Sequence, residues 1–70
     1  MPRKKAEGIT PREREIMEWI AAGKSSAMIA GIIGGSPHTI DSHRKAVQRK
    51  LGVATSIQAV AECIRRGLIQ

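Results

Sequence analysis

The segment from Ser36 to Leu51, SPHTIDSHRKAVQRKL, restricts the fold more than any other, because it is fenced at both ends as one helix. Ser36 is placed to accept from the free N–H groups of a helix start. Pro37 suits the first helical position, where no N–H is required, and Gly52 suits the position just past the end. Between these signals Ile40, Val47 and Leu51 recur at helical spacing, while His38, Asp41, Ser42, Lys45 and Arg49 fall on the other side. One face must pack, and a polar, mostly basic face is left to bind.

A chain of 70 residues makes one domain, and a chain this short hides only roughly 60% of its unfolded surface. One Trp and no Phe or Tyr leave the core to Ile, Leu, Val, Met and Ala. That composition suits packed short helices better than a β-sandwich, so an all-α fold is expected.

The formal charge of +6 and a pI near 10.5 draw polyanions before any specific contact forms. Nucleic acid is the leading partner class and an anionic membrane the second. Against the membrane, no apolar run approaches the ~20 residues of a spanning helix. Nor does any segment join a basic face to a large aromatic apolar face. No signal-peptide pattern is present, Cys63 is the lone cysteine, and no Cys/His cluster has metal-ligand spacing. An intracellular, cytoplasmic chain with no metal or cofactor is expected. Cys63 itself reads first as a small core or interface residue.

Residues 1 to 8 lack apolar periodicity and read as a flexible basic arm or linker, with the folded domain over residues 9 to 70. Thr10-Pro11-Arg12-Glu13 is a capping box, which starts helix 1. Ile16, Met17, Trp19 and Ile20 form its stripe, Arg14 and Glu18 can pair, and Gly23 supplies the stop. Ser25 or Ser26 caps a second, shorter helix that is apolar nearly all round, which predicts burial between its neighbours. Gly31 within it costs about 1 kcal/mol relative to Ala. Gly34-Gly35 breaks the pattern before Ser36, so the second and third helices, joined by a short glycine turn, describe a helix-turn-helix. A last helix, from about Ser56 to Arg66, presents Ile57, Val60, Ala61 and Ile64 before Gly67.

In three blocks, ITPREREIMEWIAAGKSSAMIA, SPHTIDSHRKAVQRKLGV and AVAECIRRGLI, the chain resembles the LuxR/GerE-type helix-turn-helix domain of bacterial transcription regulators. The likeness covers about residues 9 to 69. It implies four helices, the second and third forming the helix-turn-helix, the third entering the major groove and the fourth commonly joining two subunits. The family's near-constant acid matches Glu13, its turn glycine Gly23, its Thr-Val-x-x-His signature Thr39-Ile40-Asp41-Ser42-His43, and its Lys-Leu pair Lys50-Leu51. Positions like Asp41, Ser42 and Lys45 tend to reach base edges in such domains, and positions like Thr39 and Lys50 to hold phosphates.

Departures from the pattern carry their own expectations. Met28 stands where an acid usually completes the Ser25 box, so helix 2 should start less firmly. Gly35 stands where an aliphatic anchor usually precedes Ser36, which loosens the recognition helix. Asp41 stands where many relatives are basic or neutral, and an acid beside phosphates repels them unless it meets a donor such as cytosine N4.

Each candidate has a plainer reading beside the functional one. Lys45 and Arg49 project one turn apart and can reach guanine or phosphate, or form an ordinary solvated face. Thr39 sits beside a positive helix end and is the best neutral phosphate candidate, while Ser36 is a cap first and a phosphate ligand second. Arg44 lies nearer the inner stripe and suits a structural pair. His43, at the edge of that stripe, reads as structural before it reads as a switch. Glu13 is expected to be part-buried against a base such as Lys50 or Arg44. Trp19 reads as core. Arg3, Lys4 and Lys5 read as a disordered tail before a minor-groove arm.

The expected DNA contacts are therefore Ser36, His38, Thr39, Asp41, Ser42, Lys45, Arg49 and Lys50. Double-stranded DNA is the expected partner, with the chain binding as a homodimer. On helix 4 the core is assigned to Val60, Ala61 and Ile64, leaving Ala59 and Cys63 as a small, close-approach strip for dimerisation. The alternative is an interaction module that heterodimerises with a full-length LuxR-type regulator and blocks it, since no ligand-binding or receiver domain lies within these residues. Quorum sensing is the implied regulatory setting, and RNA polymerase a further candidate partner. An enzyme fails for want of a nucleophile–base pair, a carboxylate dyad or a metal cluster.

Overall fold

The computed structural model describes residues 8–70, and these form the helices α1 (Pro11–Ala21), α2 (Ser26–Ile33), α3 (Pro37–Leu51) and α4 (Ser56–Arg65) with no strand among the described residues. The expected basic arm, with Arg3, Lys4 and Lys5, lies outside the described residues apart from Gly8.

Helix starts follow local chemistry. Thr10 Oγ1 accepts from Glu13 N at 3.1 Å while Glu13 Oε1 accepts from Thr10 N at 3.0 Å, completing the predicted box on α1. Ser25, not Ser26, caps α2, with Met28 N donating to its Oγ at 3.2 Å and no bond returning from Met28. Ser36 caps α3 through Thr39 N at 3.2 Å. A further box that the sequence reading missed opens α4: Thr55 Oγ1 accepts from Gln58 N and Gln58 Oε1 from Thr55 N, both at 3.1 Å. Its Thr-x-x-Gln spacing was the available signal.

At the far end of α3, Gly52 adopts φ 72°, a left-handed conformation that a Cβ would strain. This lets Val53 N reach Gln48 O and Gly52 N reach Arg49 O, at 3.0 and 3.2 Å, which satisfies carbonyls the helix leaves unpaired. The same pair of bonds closes α1 and α4.

α3 packs against each of the other helices and forms the spine of the domain. Its Ile40, Val47 and Leu51 meet Ile16 and Met17 of α1, Ile29 and Ala30 of α2, Ala59 and Cys63 of α4, and Ile69 near the C-terminus in one buried cluster. Trp19 and Ile20 pack half-buried against it. The predicted inner stripe of α3 is thus the observed one.

Three expectations are corrected. α2 is not buried all round: Ile29 and Ala30 face inward while Met28 and Ile32 remain 49% and 48% exposed. A short helix at the edge of a small domain meets neighbours on one side only. The ion pair on α1 joins Arg12 to Glu15 at 3.0 Å, rather than Arg14 to Glu18. On α4 the assigned faces are exchanged. Ala59 and Cys63, expected as the dimer strip, are sealed in the core, whereas Ile64 is 49% and Ile57 82% exposed, with Ala61 also outside and Val60 half-buried. Small side chains let α4 settle closely into the cluster, so the strip that permits close approach is used within the domain.

Candidate nucleic-acid interface

The outer face of α3 is organised by its inner one. Once Ile40, Val47 and Leu51 are buried, helical geometry carries His38, Ser42, Lys45 and Arg49 to the exposed side, as the sequence predicted, and Thr39 with them, while Asp41, placed on the same face by the sequence, is half-buried. Lys45 and Arg49 lie one turn apart and neither has an ion-pair partner among the described residues. They offer flexible cations at the spacing of a duplex face.

The start of α3 is more committed than its sequence suggests. Ser36 Oγ both accepts from Thr39 N and shares a 3.1 Å hydrogen bond with Thr39 Oγ1. Pro37 has no N–H, so His38 N is the first-turn donor left for an anion. Ser36 and Thr39 are both exposed, and their hydroxyls stand beside that N–H at the positive end of the helix.

Asp41 and Lys50, two of the expected contacts, have internal partners instead. Asp41 Oδ1 accepts from Ser26 Oγ and from Arg44 Nη1, the latter at 2.7 Å. The Ser26 bond, with the Arg44 charge behind it, outweighs partial burial and holds the Asp41 carboxyl below its ordinary value. Lys50 Nζ lies 2.7 Å from Glu13 Oε1 and donates to Gly8 O at 2.9 Å. Burial pushes the Glu13 carboxyl up, but the Lys50 ammonium, the Thr10 N–H and the nearby His43 together hold it below the ordinary range. Glu13 thus pairs with Lys50, one of the two bases foreseen for it, and His43 is half-buried.

Arg44 was expected to make a structural pair and makes a wider set of bonds. Its Nη1 donates to Ser26 Oγ at 2.8 Å, and its Nε and Nη2 to Ser56 Oγ at 3.0 and 2.8 Å. The sequence reading took Ser26 only as a possible cap and Ser56 only as a helix start; they stand 18 and 12 positions from Arg44 with no local pattern linking them to it.

Among the described residues no group of His, Cys, Asp and Glu could hold a metal ion, and no helix is long and apolar enough to cross a membrane. What the fold offers is a helix pair joined at Gly34-Gly35, whose second member is pinned by its apolar side and presents a basic one. That arrangement defines a helix-turn-helix domain.

Residues 7–63 match the model of the luxR family of bacterial regulatory proteins, and the chain belongs to that family. It is 40% identical over 58 residues to the regulatory protein SdiA of Escherichia coli, covering 83% of this chain and 24% of that protein. It is 41% identical over 61 residues to the quorum-sensing regulator RhlR of Pseudomonas aeruginosa, covering 87% and 25%. The transcriptional regulatory protein MctR of Rhizobium johnstonii is 36% identical over 61 residues, covering 87% and 28%. The chain therefore spans about a quarter of the length of these relatives.

Proposed function

We propose that this chain binds double-stranded DNA as a transcription regulator, laying α3 into the major groove. The single observation that carries this reading is the outer face of α3, where Lys45 and Arg49 stand exposed and without ion-pair partners among the described residues, on a helix fixed from behind by Ile40, Val47 and Leu51. Ser42 and Lys45 reach base edges, Arg49 holds phosphate, and Ser36, His38 and Thr39 receive a phosphate at the helix start. The names of RhlR and SdiA support a regulatory role, and that of RhlR a quorum-sensing one. The chain catalyses no reaction in this reading and works in the bacterial cytoplasm, with RNA polymerase a further partner.

Two copies bind together through the outward face of α4, where Ile57, Ala61 and Ile64 take over the role first assigned to Ala59 and Cys63. A two-fold pair places its half-sites about one helical turn, ~10 bp, apart. The same face favours a second reading, in which the chain pairs with a longer LuxR-type regulator and blocks it. The half-formed box at Ser25, which weakens the start of α2, and the turn at Gly35, which loosens the reading helix, agree with that role.

The experiment is a salt titration against a random duplex pool followed by selection and sequencing of the bound fraction. A two-fold site, with affinity falling by a log–log slope of about −0.9 for each phosphate held, is the expected result. Weak binding with no enriched site overturns it and leaves the pairing role.

A further inference from the structure

The turn between α2 and α3 is built from Gly34 and Gly35, both at positive φ, 93° and 94°, with no side chain to brace the two helices against each other. A helix that reads bases must nevertheless be held at one angle, since small misplacements take side chains out of hydrogen-bond reach. The structure supplies a brace elsewhere. One guanidinium, that of Arg44, joins α3 to the first residue of α2 through Ser26 and to the first residue of α4 through Ser56. Asp41 Oδ1 takes Arg44 Nη1 at 2.7 Å and also accepts from Ser26 Oγ, which closes a triangle across the α2–α3 seam. On the α4 side Ser56 Oγ donates to Gln48 Oε1 at 3.3 Å, and Gln48 Nε2 donates to Ala54 O at 2.9 Å, so the link continues into the α3–α4 turn.

A planar fork with donors in fixed directions is suited to this task, and a lysine ammonium is not, because it cannot span the two serines in fixed geometry. We infer that Arg44 is the positioning residue for base reading: it sets the pitch of α3 in the groove by tying it to the first turns of α2 and α4. Asp41 serves as its brace and does not read a base. This rests on the DNA-binding function above.

The test measures binding of the full chain to its selected duplex and to a scrambled duplex of equal length, over a range of salt. The variants are Ser26→Ala/Ser56→Ala, Arg44→Lys and Asp41→Asn. Neither serine caps its helix, because Ser25 and Thr55 do, so the double variant keeps both caps and remains readable even where Arg44→Lys unfolds. Discrimination between the two duplexes should fall about tenfold, the scale of one lost base-pair preference, in both Ser26→Ala/Ser56→Ala and Arg44→Lys, with the salt slope unchanged. Asp41→Asn should weaken discrimination while the selected sequence stays the same.

Discrimination within about twofold of wild type in the serine variant would overturn the inference. So would a slope shallower by about one phosphate in Arg44→Gln, a further variant that removes the charge, because that would make Arg44 a backbone contact. A changed base at one position in Asp41→Asn would make that residue a reader. If the wild-type chain itself shows no preference between the duplexes, the DNA-reading function falls, and the clamp's role in it falls too.

Discussion

Glu13 Oε1, on a residue only 6% exposed, lies 2.7 Å from Lys50 Nζ and ties the first turn of α1 to the last turn of α3 across 37 positions of sequence. The carboxylate also accepts from Thr10 N, so one group both caps α1 and anchors the spine helix. Buried charge is costly unless it is paired and hydrogen-bonded, and here it is both.

Lys50→Met should therefore act on stability. Leaving the Glu13 carboxylate buried without its cation costs about 1–3 kcal/mol, read as a lower midpoint in chemical denaturation. The salt slope of DNA binding should stay at its wild-type value. A slope shallower by about one with unchanged stability would return Lys50 to the phosphate contacts.

The same pair sets an acid dependence. The folded-state value of Glu13 is depressed below its ordinary 4.5, so the native state binds the proton more weakly than the unfolded chain. Its contribution is fully present above that ordinary value and is lost as pH falls through the depressed one. Thermal melts from pH 6 down to pH 3 should show stability decreasing, with a smaller decrease in Lys50→Met. Equal slopes in the two proteins would mean that other carboxylates carry the effect.

On the outer face of α3, Lys45→Ala should cost about 1–3 kcal/mol of binding and relax one base preference, whereas Arg49→Ala should weaken every duplex alike. Selection and sequencing with each variant separates the two. Identical enriched sites for Lys45→Ala and wild type would remove Lys45 from base reading.

Ile57, 82% exposed on α4, tests the pairing face without disturbing the core. Ile57→Glu should keep the thermal midpoint and shift the sedimenting species to monomer, with affinity for a two-half-site duplex dropping to that for a single half-site. Cys63→Glu should instead unfold the domain, because Cys63 is 1% exposed in the core. A dimer that survives Ile57→Glu would place the contact elsewhere.

Gly31 sits inside α2, exposed and with open space where a Cβ would stand. Gly31→Ala should stabilise by about 1 kcal/mol, raising the melting temperature by about 4–8 °C in a domain of this size. An unchanged midpoint would mean that α2 contributes little to the cooperative unit.

Helix ends were legible in the sequence because they depend on groups only a few positions apart. Thr10 with Glu13, Ser36 with Pro37, and Gly52 each act within one turn, so spacing alone located them and narrowed the start of α2 to Ser25 or Ser26. The inner stripe of α3 was legible for the same reason, as Ile40, Val47 and Leu51 have polar residues between them that leave one face apolar. Four exposed residues of the candidate site, His38, Ser42, Lys45 and Arg49, followed directly from that stripe.

Tertiary packing decided what spacing left open. α4 carries apolar residues on both sides, Ile57, Ala61 and Ile64 on one and Ala59 and Cys63 on the other, and periodicity does not say which meets the core. Packing on α3 chose the small pair, which allows the helices to approach closely. The partners of the polar residues were hidden for a related reason. Arg44 meets Ser26 and Ser56, and Lys50 meets Glu13, across separations of 18, 12 and 37 positions. Side-chain hydrogen bonds over such distances exist only after apolar burial has fixed where the helices lie, so sequence set the elements and the inner face of α3, while the assembled core set the inner faces of α2 and α4 and the pairs.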